Sequence, residues 1–395
     1  MARRKSKIHG GEGVAGWLFT APVILILGVF LFIPILMAVW VSFTNWNGNG
    51  SPFQAGNVKV VGVDNYSSLF LKDGLTRQNF MQSIGNTFYY VLLVVPLQTI
   101  IALLLAIVVN NKLLRGKSFF RTAFYFPSVT SSIAITTVFV FLFQGGPVNS
   151  LLGLVGITGP DWFSDPRGLI HIGLNGVGIP DNPSWAQGEL FGRTTWDWIS
   201  GPSVAMCVLI ILAIWTTTGT FMLMFLAALQ NLPVDVDEAA ALDGVNGWQK
   251  LRLITVPMLK PAVFLVTTLG LIGTWQVFDQ IYVAGKGAPA GTTMTPAFLS
   301  YNQSFRSFKY GSGAAMAFVV FLIIVLLTWF QRRLLNSDDR EPRKVRRARE
   351  AAGKLLPSAA ASAAQTAEIE ALSPVALPAP VGAPLSADPR EQATP

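Results

Sequence analysis

The chain has 395 residues, is 51% hydrophobic and only 13% charged, and carries a formal net charge of +8 with a single cysteine. Charges confined to blocks between long uncharged runs exclude an ordinary soluble domain and indicate an integral membrane protein. One cysteine, Cys207, excludes an intrachain disulfide and a thiolate metal cluster, and a positive excess that flanks apolar runs reads as membrane orientation rather than nucleic-acid binding.

Residues 1–16 read as a cytoplasmic tail with Arg3, Arg4, Lys5, Lys7 and a solvated His9. The run from Val14 to Trp46 is too long for a signal-peptide core and lacks a small-x-small cleavage site, so a retained helix over 17–43 is expected. Further runs at 84–110, 127–143, 203–227, 261–284 and 313–332 are each able to cross about 30 Å of hydrocarbon at ~1.5 Å per residue. The expectation is an all-α membrane domain of six transmembrane helices over 17–335. Placing the N-terminus inside puts 21 of the 29 basic residues on the cytoplasmic side, which predicts N-in, C-in topology in the cytoplasmic membrane.

The first outer loop carries Val63-Asp-Asn-Tyr66. The second, 144–202, is long and rich in Gly, Pro and Trp, and its Asp161, Asp165, Asp181, Glu189 and Asp197 face only Arg167 and Arg193. Trp185, Trp196 and Trp198 fit headgroup-level anchors or, more sharply, a docking surface for an extracytoplasmic protein; His171 reads as a solvated residue. Residues 336–395 open with a basic cluster over 340–354, suited to anionic lipid, and continue as an Ala/Pro-rich stretch expected to be disordered.

No catalytic constellation is present in the sequence. Gly116-Lys-Ser118 has Asn111 where a phosphate-binding loop needs its first glycine, neither histidine sits at metal-ligand spacing, and no nucleophile is paired with a base. The chain therefore reads as a non-enzyme with no cofactor or metal of its own. Asp279 is the one ionisable residue inside an expected span, open to three readings: an ion-coupling site, a substrate acceptor, or a structural residue paired to a neighbouring helix.

The loop 228–260 between the fourth and fifth spans holds the most distinctive pattern. Pro233 ends a helix, Asp235 and Asp237 offer capping groups, 238–242 favours helix, Gly244 terminates it, and a second helical stretch over 246–255 leads to Pro257 and Pro261. The residues predict a helix-turn-helix on the cytoplasmic surface, with Glu238 and Asp243 projecting and small alanines allowing close approach. An ordinary amphipathic interfacial helix is the plainer alternative.

Glu238-Ala239-Ala240, Gly244 four residues on, Ile254 and Pro257 resemble the EAA motif of permease subunits of bacterial binding-protein-dependent ABC importers; Val256 stands where leucine is usual. Val63-Asp-Asn-Tyr66, Asn86-Thr87 as a helix opening, Gly116-Lys-Ser-Phe-Phe-Arg121, Asp161-Trp-Phe-Ser-Asp-Pro166, Leu226-Ala-Ala-Leu-Gln230 and Phe278-Asp-Gln-Ile-Tyr282 are similar to the maltose-type and multiple-sugar branch. An insertion between Pro166 and Trp196 and the long tail depart from it. The resemblance implies a type I importer permease fold and a second homologous permease subunit. It also implies an ABC ATPase dimer that holds ATP and Mg, and an extracytoplasmic solute-binding protein. Glu238, Ala239, Ala240, Asp243, Gly244, Ile254 and Pro257 would form the coupling helix seated on the ATPase.

For the substrate, hydroxyl, amide and aromatic groups on the flanking helices are the candidates: Trp215, Thr217, Thr220, Trp275, Gln276 and Asp279. By resemblance Thr217, Thr220 and Gln276 fall in the cavity-lining region, although membrane threonines commonly bond their own backbone. The alternative is an ion-coupled secondary carrier using Asp279, disfavoured because a lone acid makes a poor relay and no pair of broken helices marks inverted halves. A scaffold that recruits partners leaves the polar faces of the two helices unexplained.

Overall fold

The computed structural model describes residues 10–335 except 55, 112 and 113. The expectations for 336–395 and for 1–9, including His9, lie outside the described residues.

Helix α1 (Ala15–Ser42) is apolar throughout, with a π-helical turn at Gly28–Phe32, and buries nothing in its most apolar window. Its C-terminal end is tied down by the first outer loop. Asn65 Nδ2 donates to the carbonyl oxygens of Ser42 and Thr44, both at 2.8 Å, and the Tyr66 hydroxyl meets Ser42 Oγ at 2.6 Å. These bonds satisfy carbonyls that a helix end leaves open. Val63-Asp-Asn-Tyr66 is thus a C-terminal clamp.

Helix α2 (Leu75–Asn110) begins nine residues earlier than the expected span at 84. Its 36 residues reach roughly 54 Å, longer than the hydrocarbon layer, so its first turns project beyond it. Asn86 lies inside α2 rather than opening a helix, and its side-chain amide donates to the Gly291 and Met294 carbonyls.

α2 packs most extensively on the central helix α5 (Val204–Gln230). Two buried clusters line this seam. One joins Tyr90 and Val94 of α2 with Met206, Leu209 and Leu212 of α5; the other joins Ala102, Ala106 and Val109 with Met222, Phe225 and Leu226. Burying such side chains in close-packed contact is what holds helices together where lipid supplies no hydrophobic drive.

The third span differs from the expected straight helix over 127–143. Helix α3 (Lys117–Val129) and helix α4 (Ser132–Gln144) meet at a 93° bend. Thr130 and Ser131 adopt extended backbone there, and Ser128 Oγ donates across to the Thr216 carbonyl at 2.6 Å. A run of hydroxyl residues after Pro127 competes with helical bonding, and the neighbouring helix supplies the partner.

The loop after α5 contains α6 (Val234–Leu242) and α7 (Gly247–Met258), and α7 bends by 71° into α8 (Lys260–Trp275). The fifth expected span, 261–284, is also broken. α8 stops at Trp275, residues 276–278 are non-helical, and α9 (Asp279–Ala284) starts afresh. Thr295 Oγ1 donates to the Val277 carbonyl at 2.9 Å, which stabilises the break. Asp279 is therefore not mid-span in a continuous helix but the first residue of α9, and it is exposed.

The last helix, α10 (Tyr310–Leu335), packs on the second half of α1 and on α8. Among the described residues four helices are long and apolar enough to cross a membrane, and six spans result if each bent pair is one.

Candidate functional site

The loop between α5 and α8 is shaped by local rules. Asn231 closes α5, Pro233 in extended conformation blocks its continuation, and α6 follows directly. Pro233 is the N-cap and makes no side-chain capping bond. This corrects the expected capping by Asp235 and Asp237, which fall within the first turns of α6, where acidic residues favour the helix dipole instead.

Gly244 ends α6 with φ +69°, and the bonds Gly244 N–H to Ala241 O (3.3 Å) and Val245 N–H to Ala240 O (3.1 Å) form a Schellman pair. Asn246 then opens α7 with a reciprocal capping box to Gln249. The helix-turn-helix of the sequence reading is therefore present, with α7 running through Ile254 to Met258 by way of a π turn at Leu251–Thr255.

Glu238, Ala239, Asp243, Gly244 and Pro257 are exposed and Ile254 is partly buried. Ala240 is only 4% exposed, so it packs inward and does not belong to the outer surface with Ala239. Sequence reasoning missed the large apolar groups here. Leu242 is 89% exposed, Trp248 69% and Leu253 68%. Their signal was two bulky apolar residues bracketing Gly244 in a polar loop. A Cβ placed on Gly244 meets nothing within 4 Å, so the space outside this turn is open.

Both helix breaks line cavities. A cavity of 330 Å³ is bounded by Ser128 and Thr130 at the first break, Ser132 and Thr136 of α4, and Thr216, Thr217 and Thr220 of α5, with Gln280 completing it. A second, of 220 Å³, is bounded by Gln276, Val277 and Phe278 at the other break, together with Asp279. Ser132 and Gln280 belong to both walls, so the two cavities adjoin. Irregular backbone at membrane depth is tolerated where it lines such a polar space. The sequence reading took both spans as continuous helices, and the structure interrupts each of them.

The six substrate candidates separate. Thr217, Thr220, Gln276 and Asp279 border the paired cavities. Thr217 Oγ1 lies 2.7 Å from Ala213 O and 2.6 Å from Gln98 Oε1, which share its one proton, whereas Thr220 has no hydrogen bond among the described residues. Trp275 is 3% exposed, buried with Val320 and Ile324, and borders neither cavity. Trp215 faces an apolar groove on the other side of α5, with its ring tilted against Phe139 at 5.5 Å. Helical periodicity turns Trp215 and Thr217 to different faces, which a list of polar residues in sequence does not reveal. Ser132 and Gln280 were missed; Gln280 accepts from the Tyr90 hydroxyl at 3.1 Å.

The long outer loop is internally braced. A hairpin of β1 (Glu189–Leu190) and β2 (Arg193–Thr194) is held by Arg77, which pairs with Glu189 at 3.2 Å and Asp73 at 2.8 Å. Burial lowers the pKa of the Arg193 guanidinium, which stands over the Trp198 ring at 5.4 Å. Arg167 donates to Asp165 at 2.7 Å and holds that carboxyl below its usual range. His171 is not simply solvated. It stacks parallel on Trp196 at 4.1 Å, and its Nε2 lies 3.0 Å from the Trp196 carbonyl oxygen. Trp196 is buried by that stack and is not a headgroup anchor, whereas Trp185 remains exposed.

Residues 69–337 match the family model described as binding-protein-dependent transport system inner membrane component. The lactose transport system permease protein LacF of Rhizobium radiobacter is 33% identical over 83% of this chain and 96% of its own length. The arabinooligosaccharides transport system permease protein AraP of Bacillus subtilis is 29% identical over 82% of this chain and 89% of its own. The multiple sugar-binding transport system permease protein MsmF of Streptococcus mutans is 28% identical over 82% and 96%. In three dimensions the chain resembles one in the crystal structure of a bacterial ABC transporter involved in the import of alginate. The TM-score is 0.61 at 19% identity, covering 84% of this chain and 99% of the other. The fold is thus the ABC importer permease fold, and by sequence the chain belongs to the family of inner-membrane components of binding-protein-dependent transport systems.

Proposed function

We propose that the chain is one transmembrane subunit of an ATP-driven importer that moves a sugar, a di- or oligosaccharide, into the cell. The observation that carries this reading is the pairing of an exposed α6–Gly244–α7 surface, rich in unpartnered apolar groups, with cavities at two helix breaks that hydroxyl and amide side chains help to line. Related permeases named for lactose, arabinooligosaccharides and multiple sugars favour carbohydrate as cargo.

In this reading both termini are cytoplasmic, and a second permease subunit and an ABC ATPase pair complete the transporter. ATP and Mg bind on the ATPases, and a solute-binding protein delivers sugar from outside. The relative solved in complex with an alginate pentasaccharide-bound periplasmic protein supports the last partner. Leu242, Trp248 and Leu253 give the coupling surface its apolar area, while Glu238 and Asp243 supply charge-assisted bonds at its edge. ATPase closure moves α6 and α7 together, and the movement passes through the 71° elbow into α8.

The test is purification of the tagged chain from its native membrane, with mass spectrometry of what accompanies it and uptake of labelled lactose and oligosaccharides in reconstituted vesicles. The expected result is co-recovery of a second permease and an ABC ATPase, and uptake that needs internal ATP. Uptake by the lone chain that collapses with an ionophore and ignores ATP would overturn the proposal.

A further inference from the structure

On the side of α5 away from the polar cavities lies an apolar groove of 520 Å³ walled by Ile101 and Leu105 of α2, Ala123 and Phe124 of α3, and Ile214 and Trp215 of α5. Gly219 fixes this geometry, because a Cβ there would come within 2.1 Å of the Phe124 carbonyl oxygen, so α3 and α5 touch backbone to backbone. An apolar hollow facing hydrocarbon is not filled by water.

Two basic residues precede the groove wall on α3. Lys117 and Arg121 precede Phe124 by seven and three residues on α3, which places all three on one stripe about 10 Å long. Arg115 is exposed just before the helix. None of the three forms a salt bridge among the described residues. The Nε of Arg121 is buried with no acceptor in this chain, while the residue as a whole is only partly buried and open to an anion.

We infer that the groove and these basic residues form a binding site for one anionic phospholipid. The phosphate sits on Arg121 and Lys117, and an acyl chain lies in the groove against Phe124 and Trp215. Guanidinium and phosphate match in geometry and charge, and basic pockets between membrane helices bind anionic headgroups. A transmembrane helix of a second subunit would fill the apolar part alone. Its backbone bonds close internally, so only a polar or acidic side chain on it could serve Arg121, whereas an anionic headgroup supplies that charge outright. The site rests on the membrane-spanning fold and not on the sugar or ATP reading. Trp215 thereby takes a role apart from substrate.

The experiment uses the intact transporter in phosphatidylcholine nanodiscs doped with phosphatidylglycerol carrying a diazirine in one acyl chain, or with phosphatidylcholine carrying the same group. Photolabelling is mapped by peptide mass spectrometry. The phosphatidylglycerol probe is expected to label peptides containing Phe124 and Trp215 roughly tenfold more than its zwitterionic counterpart, the ratio two charge-assisted bonds support. Lys117→Gln with Arg121→Gln should remove that preference, and Leu105→Trp, which fills the groove and spares the basic residues, should remove the labelling itself. Should the double variant not assemble, Lys117→Gln alone is read for a partial loss. Equal labelling by both probes would overturn the inference in favour of a general lipid annulus. Loss of labelling with millimolar inorganic phosphate would reduce the site to an anion site. Crosslinking of a photoreactive residue at position 215 to another protein subunit, without lipid labelling, would assign the groove to a helix.

Discussion

Thr217 Oγ1 donates to Gln98 Oε1 at 2.6 Å, a side-chain bond that joins α2 to α5 beside the larger polar cavity. Gln98 is only 1% exposed, and a Cβ on Gly270 of α8 would come within 2.3 Å of its Nε2. Three helices therefore converge on one buried amide. We predict that Gly270→Ala destabilises the protein by about 1–3 kcal/mol, the usual penalty for overpacking. Pairing it with Gln98→Ala should recover part of that loss, and a thermal-melt double-mutant cycle checks the coupling. Additive single effects would mean that the amide and the glycine do not share the space.

Gly244 tests the coupling surface. Gly244→Ala meets only the strain of a positive φ, about 1–2 kcal/mol, because no atom of this chain lies within 4 Å of the new Cβ. Gly244→Asp adds a charged group on the outward side of the turn. The expected outcome is membrane insertion in both, reduced uptake in the first and abolished uptake in the second. Normal sugar uptake by Gly244→Asp would remove the basis for assigning this turn to coupling.

Thr220 and Trp275 should behave oppositely, although both were candidates from sequence. Thr220→Val removes a cavity hydroxyl that has no bond within the described residues, and is expected to raise the KM for sugar several-fold, the effect of about 1 kcal/mol. Trp275→Phe sits in a buried cluster, and the Trp275 Nε1 has no partner to lose. Uptake kinetics should be unchanged while the melting temperature falls slightly. Kinetics that respond to Trp275 and ignore Thr220 would reverse the assignment.

The outer loop carries a pH dependence at Asp165. Arg167 holds its carboxyl below the ordinary value, so the contact stabilises the loop above the unfolded carboxyl's pKa and loses that contribution as pH falls through the lower, folded value. The effect is small because Arg167 is largely exposed. Protection factors of the Ser164 and Asp165 amides, both bonded to the Asp161 carbonyl, should fall more steeply on acidification than in Arg167→Ala once the intrinsic slowing of exchange is divided out. Identical profiles in the two proteins would dismiss the pair.

Much of this architecture was legible in the sequence, for reasons visible in single residues. Long uncharged runs located the helices, Gly244 had to end α6 because its neighbours favour helix, and Pro233 had to separate α6 from α5. The breaks at Thr130–Ser131 and over 276–278 were not legible, since hydropathy averages over them. What sustains them is distant in sequence: Thr216 for Ser128 and Thr295 for Val277. The same distance hid Ser132 and Gln280 as shared cavity walls, and facing alone separates Trp215 from Thr217. Family resemblance singled out the α6–Gly244–α7 loop as a candidate, while the packing of Ala240 inward and of Leu242 and Trp248 outward emerged only in three dimensions.

The two breaks have a bearing on how such a pathway changes over generations. Residues at each break border the cavities, and a break in a helix frees main-chain groups that every residue type supplies alike. Side chains around it can be exchanged to suit a different cargo without turning the passage dry. Alanine scanning will accordingly understate how polar this route is, because the groups it leaves in place belong to the backbone.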